Sequence, residues 1–395
     1  MIICPICDSQ SNSEKIYKPR GTLVDMEVFM CHECSHIFST KKSKASKPTS
    51  DNIQAKIQKI SCDADYTEVR VGKQQMTDKD FDRLVNYSIK NPDFVIKDVL
   101  DTCSARGHFI EKVKNYWGDD VNIDAIEPDP YMAVKYVDSD NFKVFIGELE
   151  NYEIKKKFDV VYSCHSLEHY KNPIKVFSFA SKVINKNGLF IINVPNIMTL
   201  DTYQGFDEYF YDYHLQYFCP NTLTLLSQKM GFMAEEIYES GSDLVIFFRK
   251  RTVLDYNNNK GELQKNKRTL VDNYIKRVQA VQENLPSISL YIKKYIAGYD
   301  NVVFCGAGRV LDSIVKYGSL DISKDKIVLM DNFLSNGTSE LYGKKVIKFD
   351  DVNVAENTAW IIFANSSSTA LVNIISQKYK DANIISLADI QEKYV

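Results

Sequence analysis

Phe94-Val95-Ile96-Lys97-Asp98-Val99-Leu100-Asp101-Thr102-Cys103-Ser104-Ala105-Arg106-Gly107-His108-Phe109-Ile110 is the stretch that decides the fold. The apolar run Phe94–Leu100 predicts a buried strand ending in Asp101. The small residues up to Gly107 predict a tight turn, and a helix is expected from about His108. A strand, a tight turn and a helix turn backbone N–H groups and a helix N-terminus toward a ligand. The next apolar run, Val121–Ile126, ends in Glu127, 20 residues after Gly107. A carboxylate at that strand tip can accept hydrogen bonds from both hydroxyls of a ribose.

Further short apolar runs lie at Val144–Ile146, Phe158–Tyr162 and Leu189–Val194, with helical stretches between them. This alternation predicts an α/β domain over residues 77–250 with a mostly parallel sheet covered on both faces. Thr77-Asp78-Lys79-Asp80 reads as its first helix start, followed by Phe81, Leu84, Val85 and Ile89 at helical spacing. Residues 41–76 open with a Lys/Ser run and read as a linker. Residues 251–298 read as a connecting helix, with Leu270, Val271, Tyr274, Ile275 and Val278 along one stripe. Residues 299–395 restart the strand–turn–helix pattern, with strands expected at Asn301–Phe304, Ile327–Met330, Trp360–Ala364 and Asn383–Ser386.

Residues 1–40 carry Cys4-x2-Cys7 and Cys31-x2-Cys34, with 23 residues between the pairs. Two thiolate pairs on two knuckles can converge on a tetrahedral zinc, and four sulfur ligands close the site, as in a structural centre. A segment this small needs the metal to fold. His32 and His36 are then expected at the surface or behind the ligands. The nine cysteines are otherwise scattered, which fits reduced thiols rather than a disulfide framework.

The chain of 395 residues is 44% hydrophobic, enough for two or three packed cores. A formal net charge of -3 argues against a general nucleic-acid or membrane-surface binder. No apolar stretch approaches the ~18 residues of a membrane span, and Met1–Cys7 has no secretory pattern, so a cytoplasmic location is expected.

The order Val99-Leu100-Asp101 … Gly107, Ile126-Glu127-Pro128, Gly147-Glu148-Leu149-Glu150, Phe158-Asp159-Val160-Val161 and Ser166-Leu167-Glu168-His169 resembles class I S-adenosylmethionine (SAM)-dependent methyltransferases. The resemblance spans most of residues 80–250. It implies a Rossmann-like SAM domain, with the cofactor held by Asp101, Cys103, Ser104, Gly107, Glu127, Pro128, Glu148 and Leu149. The family's loop is Asp-x-Gly-x-Gly-x-Gly, whereas here Cys103 and Ala105 replace the first two glycines. A Cβ hinders positive φ and close backbone approach, so these two residues fit the loop if their φ is negative, and otherwise SAM binding is weakened or lost.

His165 and His169 follow the strand Val160–Tyr162 and so stand near the carboxyl edge of the sheet, where such folds bind ligands. The stretch Glu208–Phe218 adds a dense aromatic run and His214. Imidazoles are apt bases near neutral pH, and tyrosine hydroxyls can steady a developing oxyanion. The layout as a whole is similar to the three-domain sugar C-methyltransferases: a zinc module, a SAM domain and a second Rossmann-like domain. That family carries a Tyr and then a Glu-His pair before Tyr-Phe. Tyr211, His214 and Tyr217-Phe218 match, while Tyr213 stands at the Glu position, which leaves C-, O- and N-methylation open. The resemblance gives His165, His169, Tyr211 and His214 as catalytic candidates and Tyr213 as an acceptor contact. It gives Gly306, Gly308, Asp331 and Asn365 as contacts to the nucleotide of an activated sugar. The expected partner is a small-molecule acceptor, possibly a nucleotide-sugar, bound by a monomer or dimer.

Two other readings stand beside this one. Cys103 and Ala105 would suit a non-catalytic binding protein on a decayed methyltransferase fold. Gly306-Ala307-Gly308 with Asp331, 23 residues on, would suit an NAD enzyme, although Leu311 occupies the third glycine position.

Overall fold

The computed structural model describes residues 2–10, 13–20, 25–41, 71–130, 133, 138–203, 205–206, 208–211, 213–250, 260–337, 340–353, 356–364, 368–387 and 389–390. The chain divides into two compact units. One draws on the described residues of 1–44, 67–202 and 210–271, the other on those of 203–209 and 272–395.

In chain order the first unit contains β1 (Ser13–Tyr17), β2 (Met26–Cys31), β3 (Ile37–Lys41), β4 (Asp98–Thr102), β5 (Asn122–Glu127), β6 (Phe142–Ile146), β7 (Phe158–Cys164), β8 (Ile184–Pro195), β9 (Gln216–Tyr217), β10 (Phe232–Ser240) and β11 (Asp243–Lys250). Seven of them form one sheet in the order β10-β11-β8-β7-β4-β5-β6. The pairs among β4 to β8 are parallel, and the hairpin β10–β11 joins antiparallel to β8. Short apolar strands with both faces covered account for the sheet's burial. One face packs on Phe81, Leu84 and Tyr87 of the helix Val71–Lys90 and on Phe109, Ile110 and Val113 of the helix His108–Trp117. The other packs on Val176, Phe177 and Ala180 of the helix Ile174–Val183 and on Leu223 and Leu226 of the helix Pro220–Lys229.

From β4 the chain steps outward through β5 to β6, then returns to lay β7 and β8 on β4's other side. The strand order therefore reverses between β4 and β7. Open sheets of this kind bind ligands in the crevice beyond the carboxyl ends of the two strands at that point. The loops after β4 and β7 are the ones that carry Cys103–Gly107 and His165–His169.

A second, four-stranded sheet runs β1-β2-β3-β9. Its last member comes from the aromatic tract, through Ile37 opposite Tyr217 and Phe38 opposite Gln216. The cysteine-bearing segment is thus built into the first unit. Cys4, Ile6, Phe29 and Phe38 share a core with Phe177 and Phe218.

The second unit holds β12 (Asn301–Cys305), β13 (Ile327–Met330), β14 (Glu340–Leu341), β15 (Lys344–Ile347), β16 (Thr358–Ile362) and β17 (Asn383–Ser386) in the order β14-β15-β13-β12-β16-β17. All but the short β14 pair in parallel. No helix among the described residues is long and apolar enough to cross a membrane.

Several boundaries differ from the sequence expectation. The first helix starts at Val71, six residues before the Thr77 box. β4 begins at Asp98, so Asp101 lies inside the strand and Thr102 ends it. The connecting helix runs Lys260–Tyr295.

Candidate functional site

The loop after β4 is held in an unusual conformation. Cys103 has φ +61°, Ala105 +48° and Gly107 +79°. Cys103 and Ala105 therefore do not meet the condition of negative φ: both adopt the left-handed region that the family fills with glycine, the case in which the sequence reading has SAM binding weakened or lost. A left-handed residue with a Cβ costs about 1–2 kcal/mol, so its surroundings must hold it there. Glu127 does much of this. Its Oε2 accepts the Ala105 N–H at 2.6 Å and its Oε1 accepts the Asp129 N–H at 2.9 Å, just past Pro128. Ser104 N–H donates to the Ile126 carbonyl at 3.1 Å, and Gly107 N–H closes the turn on the Ser104 carbonyl at 2.9 Å. On the far side Ser166 Oγ donates to Cys103 Sγ at 3.0 Å, tying together the two loops that flank the strand-order reversal. Burial pushes the Cys103 thiol up to about 12, so it packs as a neutral group.

Asp101 lies beneath this loop, buried. Its carboxyl is raised well above the usual range, first by burial and then by the charge of Glu127. Two neighbouring carboxyl groups at this loop, Asp101 and Glu127, make a site that favours a cation with a ribose. SAM fits, because its sulfonium and ammonium charges would offset both carboxylates while its ribose hydroxyls meet Glu127. Glu148 is exposed and heads the short turn Leu149–Asn151, with Leu149 buried beneath it. Gly147 N–H donates to the Glu127 carbonyl at 3.0 Å, which places Glu148 beside the same strand tip.

The loop after β7 brings three histidines around one carboxylate. Glu168 is 1% exposed. Its Oε1 stands 3.8 Å from His165 Nδ1, 3.7 Å from His169 Nε2 and 3.8 Å from His214 Nε2. Neither of its oxygens accepts a hydrogen bond from a described residue. His165, at φ +45°, also reaches Asp243 at 3.3 Å. His169 Nδ1 lies 2.8 Å from the carbonyl of Tyr213. Tyr211 Oη lies 2.7 Å from His214 Nε2. Three of the four catalytic candidates, His165, His169 and His214, therefore converge on a residue outside the expected set; Tyr211 joins them through His214, and Tyr213 through its backbone.

Comparison with known proteins bears on this arrangement. The family model described as a methyltransferase domain matches residues 73–237. Residues 73–237 are a methyltransferase domain. The chain is a methyltransferase. Among solved structures, a SAM-dependent methyltransferase from Clostridium acetobutylicum ATCC 824 is 13% identical, with a TM-score of 0.37 over 43% of this chain and 90% of that one. The CcbJ methyltransferase from Streptomyces caelestis is 13% identical, with a TM-score of 0.34 over 40% of this chain and 84% of that one. A SAM-dependent methyltransferase from Mesorhizobium loti is 11% identical, with a TM-score of 0.32 over 39% of this chain and 90% of that one. No curated protein matches the chain.

In this methyltransferase the four N-terminal cysteines are gathered together. Cys4 and Cys34 sulfurs are 3.6 Å apart, those of Cys7 and Cys31 3.5 Å, and all four fall within 4.8 Å of one another. A tetrahedron of ~2.3 Å zinc–sulfur bonds has edges of about 3.8 Å, so the donor set fits zinc. His32 is half-exposed, whereas His36 is fully buried, and burial pushes its pKa down to about 3. Its Nε2 donates to Gln216 Oε1 at 2.9 Å. The neighbouring strand holds the catalytic tract. Ser39 N–H donates to the Leu215 carbonyl at 2.9 Å, and Ser39 Oγ and Tyr217 Oη donate to the His214 carbonyl at 3.0 and 2.9 Å. Leu215 N–H in turn donates to the Glu168 carbonyl at 2.8 Å.

The second unit carries the remaining expected residues. Gly306 has φ +86°, and a Cβ there would lie 2.8 Å from Ala364, so its glycine serves close packing between the loops after β12 and β16. Gly308 heads the helix Arg309–Gly318 and faces open space. Asp331 Oδ1 accepts N–H groups from Phe333 and Leu334, the bonds of a local turn. Asn365 lies outside the described residues.

Glu168, Asp243 and Asp80 were missed by sequence reasoning. Asp80 is buried on the first helix, where it accepts from Tyr162 Oη at 2.9 Å and Asn193 Nδ2 at 2.6 Å and pairs with Arg83 at 3.0 Å. Burial raises its carboxyl above the usual range. The available signal for Glu168 was its place in Leu167-Glu168-His169, which had been read only as register.

Proposed function

We propose that this methyltransferase alkylates a carbohydrate acceptor, carried as a nucleotide-sugar, with SAM held over Asp101–Gly107, Glu127 and Glu148-Leu149. The observation that carries the reading is the buried Glu168 ringed by His165, His169 and His214, one loop away from Cys103. SAM supplies a methyl group made electrophilic by its sulfonium.

The protein's part is to exclude water, orient the acceptor and take its proton. Tyr211 has His214 Nε2 behind its hydroxyl at 2.7 Å, so a proton taken from the acceptor at the phenol oxygen can be relayed to the imidazole. Glu168 offsets the positive charge that then develops on the histidines. Asp243 and the Tyr213 carbonyl fix the rings of His165 and His169. The four cysteines hold a structural zinc that braces the His214 segment through Ser39.

A decayed fold would have let the Cys103–Gly107 loop relax. The loop instead keeps three left-handed residues, two of them strained. The test is turnover of labelled SAM against a panel of nucleotide-sugars, with wild type and His214→Ala compared. A methylated sugar formed by wild type, and at least about 100-fold more slowly by the variant at unchanged SAM affinity, supports the reading. Equal turnover removes His214 from the chemistry.

A further inference from the structure

The carboxylate of Glu168 is almost fully buried, yet among the described residues neither oxygen receives a hydrogen bond. An ionised carboxylate in that position is expensive unless a positive charge or donors compensate it. The groups facing it are three imidazoles, His165, His169 and His214, each 3.7 to 3.8 Å away, too far for hydrogen bonds.

The protonation of His169 sharpens the point. Its Nδ1 lies 2.8 Å from a carbonyl oxygen, which can only accept, so Nδ1 carries the hydrogen. In the neutral ring Nε2 is then a bare lone pair, and it faces Glu168 Oε1 at 3.7 Å. Two lone-pair-bearing atoms facing each other across that gap call for a positive charge, on the ring or between them, and a gap of 3.7 Å is wide enough for an ion to bridge. A ring N–H donated to a backbone carbonyl, with the other nitrogen free, is also the arrangement that metal-ligating histidines adopt.

We infer that Glu168, His169 and His214 form a binding site for a divalent transition metal, separate from the four cysteines. Their donor atoms lie within 4.8 Å of one another. Two imidazoles and one carboxylate leave coordination positions open, as reactive metal sites do, whereas four thiolates close theirs. The metal and the Tyr211 hydroxyl compete for the same lone pair of His214 Nε2, so the proton relay from Tyr211 to His214 belongs to the metal-free site and loading the site interrupts it. The ligand class is an acceptor with two adjacent oxygens, such as a vicinal diol or a hydroxy-ketone, which would chelate the open positions. That last step rests on the methyl-transfer reading; metal binding does not.

The experiment adds Co(II) to full-length protein carrying one equivalent of zinc and follows it by calorimetry and visible absorption. The expected result is one further cobalt per chain, with d–d bands of nitrogen and oxygen ligation and no thiolate charge-transfer band. Glu168→Gln and His169→Ala should each weaken it by more than ~100-fold, beyond the ~10–100-fold cost of losing an outer partner. His169 is half-exposed, so its alanine variant keeps its fold, and SAM binding serves as the folding control for both. No second cobalt, or equal binding by both variants, overturns the site. The proton-relay reading of Tyr211 and His214 survives that outcome, because the turnover assay tests it separately.

Discussion

Glu127 Oε2 accepts the backbone N–H of Ala105 at 2.6 Å, so the tip of β5 holds the left-handed loop after β4 in place. One carboxylate therefore shapes the cofactor loop and also offers its remaining lone pairs to the ribose. Glu127→Ala removes both functions. A hydrogen bond to a charged group contributes about 1.5–3 kcal/mol, so losing two should weaken SAM by roughly 100-fold or more. Calorimetry checks this, and Glu127→Gln should fall between the variant and wild type.

Ala105 sits at φ +48° with no side chain beyond Cβ. Ala105→Gly should relieve the strain and stabilise the protein by about 1 kcal/mol, read as a shift in the urea midpoint. Cys103→Gly should gain less, since Cys103 also accepts from Ser166. A loss of stability in Ala105→Gly would mean that the loop is not strained.

Asp101 sets a pH dependence. Its carboxyl is raised in the folded protein, by burial first and the Glu127 charge second. Its contribution to stability is therefore full below the unfolded value of 3.8 and is lost as pH rises through the folded value. Asp101→Asn abolishes that loss. Without SAM, the variant should gain stability over wild type at about pH 8 and gain less at about pH 5, while binding SAM more weakly. Equal gains at both pH values would show that the carboxyl is not perturbed.

Ser39 ties the cysteine-bearing segment to the proposed base His214, whose carbonyl it holds at 3.0 Å. Removing zinc, or replacing Cys34 with Ser, should displace the His214 segment. A shift of ~1 Å at a catalytic group can cost about 100-fold in rate, so turnover should fall far more than SAM affinity. Zinc content, turnover and SAM titration on the same samples check the order of loss.

The sequence made the sheet legible wherever strands were apolar runs between helices. β13 and β17 match their expected limits, and Glu127 ends β5 as read. Other elements carried no such signal. β9 is two residues long and exists because β3 pairs with it. The hairpin β10–β11 escaped notice although Gly241-Ser242 marks its turn. The site was legible as a list of histidines, not as a cluster. Glu168 and His214 lie 46 residues apart in sequence, and they become neighbours where the tract before β9 is held between β3 and the loop after β7, through the Leu215 N–H to the Glu168 carbonyl. Asp80 read as part of a helix start because the turns from Val71 onward lack an apolar stripe strong enough to extend the helix backward.

The most direct measurement is a calorimetric titration of zinc-loaded protein with SAM and with S-adenosylhomocysteine. One site per chain with micromolar affinity, absent in Glu127→Ala, is the predicted result. No heat with either ligand at millimolar concentration would contradict the cofactor site and, with it, the assignment of the histidine cluster to methyl transfer.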